Sequence, residues 1–367
     1  MVLLHIDTLK LGHARSIAQG MDRSPHEPLE TPLERRSFLK AAAVVIGASA
    51  LATTPAGEAL ARSHRHHHHR HHRRQRFDRC RFGAHVSPID GTAPEDAINQ
   101  LESELGARFS LDRQYYHDEQ FPSPYDYWTA SQGRTPVLSF KSYDKWKPVP
   151  WAEVTAGAWD DHLNQIADNC IAFGQPMFLT FFHEPENDQA RFGTPAEYVG
   201  AWRHVVDLFR AKGVSNVSWT TCLMGTSYWD KATATSWYPG DDYVDYIGAD
   251  AYNWGPSSSV CVNNVWTSFK WRVQRFYEFG KGHRKPMMVL ETGCAEDPTD
   301  PSRKADWIRG MTKTLKTMPS IRGVCWFEAG KSTGNKCDWF VESSGASRQA
   351  MSQAMVDPYF VPGAPLS

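Results

Sequence analysis

Residues 176–184 read Pro176-Met-Phe-Leu-Thr-Phe-Phe-His-Glu184, an almost entirely apolar run that ends in a carboxylate. Residues 287–291, Met287-Met-Val-Leu-Glu291, end in the same way. Runs that are apolar without alternation are typical of strands buried on both faces, as in parallel sheets. Eight short apolar runs occur along the chain, at 81–86, 107–111, 136–140, 176–182, 217–222, 244–249, 286–290 and 323–327.

Longer segments with helical signals separate these runs. Residues 160–173 begin with acidic residues and end before Gly174, a typical C-cap. Thr194, Pro195 and Glu197 form the N-terminal signature of a helix that we expect to extend to residue 212. Further helices are expected at 265–279 and 303–317. This repeated alternation predicts a single (β/α)8 TIM barrel, and a doubly wound open sheet is the alternative.

The charge of the chain is unevenly distributed. The total is −1 over 367 residues, but residues 62–76 carry +6 and residues 1–61 are neutral, so the remaining 291 residues carry −7. A mildly acidic body argues against a nucleic-acid partner, whose phosphates require a positive surface. The 14 Trp and 13 Tyr either pack in a core or form surfaces on which flat ligands stack.

Residues 1–61 have the layout of an export signal. Arg35-Arg36 precedes an apolar run from Ala41 to Ala52, and Ala59-Leu60-Ala61 offers a cleavage site, so the segment resembles a twin-arginine signal peptide. The apolar run is shorter than the roughly 20 residues needed to cross a bilayer. We therefore expect a secreted, extracellular protein without an integral membrane span. A short N-terminal helix is the alternative reading, and a start at Met21 stays open.

Residues 62–76 contain seven His and six Arg and nothing that could form a core, so we expect a disordered linker. Weak contact with metal ions or with anionic cell-wall polymers is a further possibility for this segment. The catalytic domain is expected at residues 77–367. The seven Cys show no CxxC spacing, and we expect no cofactor and no metal site. Cys261, Cys294 and Cys337 lie in or near expected loops and are the favoured disulfide cysteines.

Glu184 and Glu291 suggest a chemistry. The active site of a (β/α)8 barrel lies at the C-terminal ends of its strands. Two carboxyl groups there can divide the work of glycoside hydrolysis, one protonating the leaving oxygen while the other attacks the anomeric carbon. For a single strand-end Glu, a salt bridge to a loop Arg would be an equally good explanation. Two such residues on the fourth and seventh runs favour catalysis.

Several segments in this order resemble glycoside hydrolase family 26, in the clan of retaining barrel enzymes. They are 157–160, 198–205, 238–253 and 285–293, together with His183-Glu184, and the resemblance covers roughly residues 82–345. The resemblance implies that Glu184 is the acid/base and Glu291 the nucleophile. It implies that Tyr252 lies beside the nucleophile and that Trp326 is the aromatic floor under the cleaved sugar. It also implies that His183 forms a hydrogen bond near the acid/base or with the 2-hydroxyl group of the sugar.

The resemblance implies a β-linked polysaccharide as substrate, with mannan or glucomannan favoured over mixed-linkage or 1,3-linked glycans. Trp254, at a loop mouth, is a further candidate for sugar stacking. Thr180, Pro185 and Glu186 depart from the mannanase pattern at positions that we expect beside the substrate. We expect a monomer.

Other classes of function are weaker. A carbohydrate-binding barrel without activity would not require both Glu residues, and a metal-binding surface protein would depend only on residues 62–76. A metalloprotease needs a second His where Asn187 stands, and the Gly-x-Ser-x-Gly motif of serine hydrolases is absent.

Overall fold

The computed structural model describes residues 79–117, 120–255, 265–335 and 337–363. All of them belong to the second of two compact units, His69–Ser367. The expected signal peptide and His/Arg-rich linker lie outside the described residues.

Eight parallel strands form the centre of this unit. They are β1 Cys80–Val86, β2 Leu111–Tyr116, β3 Thr135–Phe140, β4 Met177–Phe181, β5 Val217–Trp219, β6 Ile247–Asn253, β7 Met287–Cys294 and β8 Ile321–Glu328. Their order in the sheet is β5-β4-β3-β2-β1-β8-β7-β6. The bridges Thr220↔Tyr246 and Leu223↔Ala249 join β5 to β6 and close the barrel. The predicted (β/α)8 barrel is therefore confirmed.

One main helix follows each strand. These are α1 Pro94–Leu105, α2 Pro124–Ser131, α3 Asp160–Phe173, α4 Pro195–Ala211, α5 Lys231–Trp237, α6 Phe269–Gly282, α7 Arg303–Thr317 and α8 Gly345–Met355. Short helices occupy Trp151–Thr155 and Gln189–Phe192, and 3-10 turns occupy Pro185–Asp188, Gly225–Trp229, Asp241–Tyr243, Lys331–Thr333 and Val341–Ser343. A small hairpin pairs Tyr143–Asp144 with Lys147–Pro148, and Phe360–Val361 extends the sheet beside β1.

The helix ends that were predicted from capping residues agree with the structure. Helix α4 begins with the expected capping box, in which Thr194 and Glu197 bond reciprocally. Gly174 ends α3 in the left-handed conformation, at φ 66°, which glycine adopts without a steric penalty. Helix α6 starts at Phe269 rather than at residue 265. No helix of the described residues is long and apolar enough to span a membrane.

Two strands lie further along the chain than the apolar runs predicted. Strand β2 covers residues 111–116 rather than 107–111, and β6 covers 247–253 rather than 244–249. Both contain charged residues, Asp112 and Arg113 in β2 and Asp250 in β6. These side chains are accommodated because each meets a buried polar partner, which a search for apolar runs does not detect. Arg113 bonds to Glu291 within the barrel, whereas Asp112 accepts hydrogen bonds from Tyr125 and Thr129 of α2. Strand β7 likewise continues past Glu291 to Cys294.

Candidate active site

A pocket of ≈ 630 Å³ opens at the C-terminal end of the barrel. This is within the range of small-molecule sites, about 300–1,000 Å³. Glu184 and Glu291 both line it, so the structure brings together the two carboxylates expected from the sequence. His183, Tyr252 and Trp254 line the same pocket.

Backbone geometry turns Glu184 toward the pocket. Phe182 and Glu184 adopt the left-handed conformation, at φ 59° and 47°, which costs about 1–3 kcal/mol for each non-glycine residue. The Glu184 backbone N–H donates to the Cys222 carbonyl oxygen at 2.7 Å, which ties this turn to the residues after β5. The chain thus leaves the strand in a strained turn that is fixed by its neighbour.

Glu184 holds its proton more strongly than an ordinary glutamic acid. Burial raises the pKa of Glu184 well above its usual value, and the negative charges of Asp250 and Glu291 add to that effect. The side chains of Glu184 and Asp250 are hydrogen-bonded to each other, and Asn187 Nδ2 donates to Glu184 Oε2 at 2.9 Å. Glu184 is therefore the carboxyl group of the pocket that is suited to donate a proton.

Asp250 is the partner that the sequence did not reveal. Burial raises its pKa to about 6, although the hydrogen bond from Glu184 and the Gly225 backbone N–H favour its ionised form. At neutral pH the pair therefore shares one proton, which resides on Glu184, with Asp250 as the anionic acceptor. Asp250 lies in β6 next to β7, where it pairs in register with Glu291.

Glu291 has a different environment. Its Oε1 accepts a hydrogen bond from Arg113 Nη2 at 3.1 Å, and its Oε2 accepts one from the Tyr252 hydroxyl at 3.3 Å. Arg113 is fully buried in β2, so its guanidinium supplies a fixed countercharge to this carboxylate. Cys222 Sγ lies 4.0 Å from Oε1. Tyr252 is therefore beside Glu291, as the family resemblance implies.

His183 lies beside Glu184 as a neutral imidazole. Burial, followed by the charges of Lys141 and Arg113, lowers the pKa of His183 well below its usual value. Its ring meets the edge of the Tyr115 ring at 4.8 Å, and its Nδ1 has no hydrogen-bond partner among the described residues. A neutral histidine in the pocket wall can hydrogen-bond a hydroxyl group of a ligand.

The aromatic residues of the pocket differ in one respect from the expectation. Trp326 is 1 % exposed and does not line the pocket, because its indole points outward to Trp307 of α7 and donates to the Trp339 carbonyl oxygen. Successive strand residues face opposite sides, so Phe327 enters the pocket instead and stacks on His85 at 5.1 Å. The assignment of Trp326 as the sugar floor is thus corrected.

Trp254 does line the pocket, and it forms an edge-to-face pair with Trp339 at 5.0 Å. Trp339 follows Cys337, which is disulfide-bonded, as expected for one of the three favoured cysteines. Cys294 is a free, buried thiol, so that expectation was wrong, and Cys261 lies outside the described residues. Cys294 was expected in or near a loop, but strand β7 continues to this residue.

The residues that depart from the mannanase pattern do not form the pocket wall. Thr180 is fully buried within β4, and Pro185 is buried beneath the turn. Glu186 accepts hydrogen bonds from the Met224 backbone N–H at 2.9 Å and from Ser227 Oγ at 2.5 Å, and burial raises its pKa to about 7. These residues therefore shape the turn that follows β4 and its contact with residues 224–227, rather than touching a ligand in the pocket directly.

The fold and the site define a barrel with two differently paired carboxyl groups facing one pocket, a layout used by glycoside hydrolases. The family model "Glycosyl hydrolase family 26" matches residues 161–284, a range that includes Glu184. Over these residues the chain is similar to the family 26 glycoside hydrolases.

Individual proteins are similar to the chain in sequence or in fold. The chain is 28% identical over 288 residues to Endoglucanase H of Acetivibrio thermocellus, a match that covers 74% of this chain and 30% of that protein. A GH26 β-mannanase from Bacteroides ovatus superposes with a TM-score of 0.58 at 18% identity, over 78% of this chain and 91% of that chain. A modular endo-β-1,4-mannanase from Cellulomonas fimi gives a TM-score of 0.56 at 16% identity, over 79% and 73%.

Proposed function

We propose that the chain is a retaining hydrolase of β-linked polysaccharides, with Glu184 as acid/base and Glu291 as nucleophile. The supporting observation is the different pairing of the two carboxyl groups in one pocket. Glu184 is bonded to the anion Asp250 and holds a proton, whereas Glu291 faces the cation Arg113. A retaining glycosidase needs this division between a protonated acid and an ionised nucleophile.

In the proposed first step, Glu291 attacks the anomeric carbon and forms a covalent glycosyl ester. Glu184 gives its proton to the glycosidic oxygen, and the leaving sugar departs as an alcohol. The ester carries no negative charge, so one of the charges that raise the pKa of Glu184 disappears. Glu184 then accepts a proton from water, which attacks the ester and releases the sugar with its original β-configuration.

The proposed substrate is β-1,4-mannan or glucomannan, on the basis of the family resemblance in the segments around His183, Tyr252 and Glu291. A β-glucan is the second candidate, because the curated relative at 28% identity is named an endoglucanase. The chain spans 30% of the length of that relative, so its name describes a protein much longer than the match.

The test is a hydrolysis screen of the purified protein on mannan, glucomannan, mixed-linkage glucan, xylan and 1,3-linked glycans. Glu291→Gln, which keeps the shape of the side chain, is the matched control for contaminating activity. We expect release of reducing ends from at least one β-glycan and none with the control. NMR should show the β-anomer first. Binding without hydrolysis would instead favour a carbohydrate-binding barrel, and an α-anomer first would contradict retention.

We also propose export by the twin-arginine route, with residues 62–76 as a spacer that turnover does not need. Arg35-Arg36 before a short, weakly apolar run supports the first point, and the His/Arg composition supports the second. Replacing Arg35 and Arg36 together by Lys should keep the precursor inside the cell. Unchanged secretion would contradict this route. Deleting residues 62–76 should leave the specific activity intact.

A further inference from the structure

Two exposed tryptophans lie at the mouth of the pocket. Trp229 ends the 3-10 turn that follows β5, is 47% exposed and lines the pocket. Trp271 stands in the first turn of α6 and is 40% exposed. Their rings meet edge to face, with centroids 4.6 Å apart at 75°. In such a contact the two indoles do not cover each other face to face, and Trp229 keeps 47% of its surface exposed.

Arg272 adds a charged group to the same wall. It lines the pocket although only 8% of it is exposed, and its Cζ lies 5.3 Å from the centre of the Trp271 ring. Its Nε donates to Thr267 Oγ1 at 2.6 Å, which fixes the guanidinium, while its Nη2 has no hydrogen-bond partner among the described residues. Thr226 and Asn187 supply further polar groups nearby in the wall.

An exposed indole in a pocket wall, next to polar side chains, is the arrangement that suits a sugar ring. The apolar C–H face of the ring packs on the indole, and its hydroxyl groups bond to the polar groups at the edge. An isolated apolar patch would suit another protein surface equally well. Trp229 instead continues the wall that contains Glu184, and this continuity favours a sugar of the same chain that is cleaved.

The position of the pair indicates which part of the substrate it would hold. Trp229 follows β5, the strand beside β4 and its Glu184, whereas Glu291 lies in β7. The acid must reach the glycosidic oxygen, so the leaving sugar departs on the side of Glu184. We propose that Trp229, supported by Trp271 and Arg272, forms a binding subsite for the leaving portion of a β-linked polysaccharide. This inference rests on the proposed function.

The test uses transfer to an acceptor sugar, because a retaining enzyme passes its covalent glycosyl group either to water or to a sugar bound on the leaving side. The donors are 2,4-dinitrophenyl β-mannobioside and β-cellobioside, whose leaving group needs little help from the acid. The acceptors are mannotriose and cellotriose. Trp229→Ala is compared with Trp229→Phe and with Trp146→Ala, a matched control at a tryptophan that is 64% exposed and does not line the pocket.

In Trp229→Ala, we expect the acceptor concentration for half-maximal transfer to rise about tenfold, which corresponds to about 1.4 kcal/mol of lost binding. Hydrolysis of the donor in the absence of acceptor should fall by a smaller factor than transfer, because the aryl leaving group fills less of the subsite than an acceptor trisaccharide. Trp229→Phe should need an acceptor concentration between those of the original protein and Trp229→Ala. Trp146→Ala should need the same acceptor concentration as the original protein. An unchanged acceptor requirement in Trp229→Ala would overturn the proposal. A parallel loss of donor hydrolysis would also overturn it, because that result assigns Trp229 a structural role.

A second measurement separates this proposal from the proposed function. If the original protein cleaves no donor, the hydrolase assignment fails, and the subsite is tested by retardation of the Glu291→Gln protein in native gels that contain glucomannan or mixed-linkage glucan. Retardation that is lost in the Glu291→Gln, Trp229→Ala double variant supports the subsite. Equal migration of the two proteins refutes it, as does a change of oligomeric state caused by Trp229→Ala alone.

Discussion

Asp250→Asn is expected to move the alkaline limb of the kcat/KM profile to lower pH. This limb reports loss of the proton from the general acid of the free enzyme. Asp250 is hydrogen-bonded to Glu184, and its charge is the largest cause, after burial, of the raised pKa of Glu184. Since the pKa of Asp250 itself is about 6, Asp250 is ionised where Glu184 loses its proton. Removing that charge stabilises ionised Glu184 and lowers its pKa.

The size of the shift follows from the distance between the two charges. Carboxyl groups joined by a hydrogen bond place their charges about 4 Å apart, which corresponds to about 4 kcal/mol at an effective dielectric constant of about 20. At about 1.36 kcal/mol per pKa unit, this would amount to about three units. The pocket is open, however, and water in it screens the pair. We therefore expect the alkaline limb to move by about one unit.

The assay measures kcat/KM between about pH 5 and pH 10 on the best polysaccharide from the screen. Asp207→Asn removes the same charge from a side chain that is 59% exposed, on the outside of the barrel, and serves as the matched control. The control should keep the original profile. An alkaline limb that stays in place in Asp250→Asn, or moves to higher pH, would refute the role assigned to this carboxylate pair.

Four further substitutions test the catalytic pair, its countercharge and the barrel. Glu291→Ala should abolish turnover, and full activity of this variant would rule out the assignment. Glu184→Ala should still be glycosylated by 2,4-dinitrophenyl glycosides and should give a β-glycosyl azide when azide is added. Arg113→Met removes a charge-assisted bond to Glu291, worth about 1.5–3 kcal/mol, and should lower kcat/KM about 10- to 100-fold, while Arg309→Met, at an exposed position, should not. Arg134→Met leaves Glu102 buried without its bidentate partner. It should therefore lower the free energy of unfolding, measured by urea titration, by about 3–5 kcal/mol. A loss below about 1 kcal/mol would contradict this reasoning.

The sequence was sufficient to predict the barrel and the position of both glutamates. A carboxylate at the end of a long apolar run has few structural explanations, and Glu184 and Glu291 both stand in that position. Helices with complete capping signals, such as α4, were also predicted almost to the residue.

Arg113 and Asp250 could not be found in the same way. Each lies inside a strand, and its burial is tolerated only because it meets Glu291 or Glu184 from a distant part of the chain. The only local signal was a charged residue between aromatic or small residues in a strand-like segment. The choice between Trp326 and Phe327 depended on which side of β8 faces the pocket, and a shift of one residue reverses that assignment.

Among the residues that the structure describes, the free cysteines are Cys80, Cys170, Cys222, Cys294 and Cys325. All are buried, and burial raises the pKa of each thiol. The thiolate is the form that attacks thiol reagents, so these groups should not react as long as the barrel is closed. Their rate of reaction with a chromogenic disulfide should therefore report the rate at which the barrel opens or unfolds. Cys222, 4.0 Å from Glu291, would record opening at the pocket itself, while Cys170 in α3 would record separation of the helical layer.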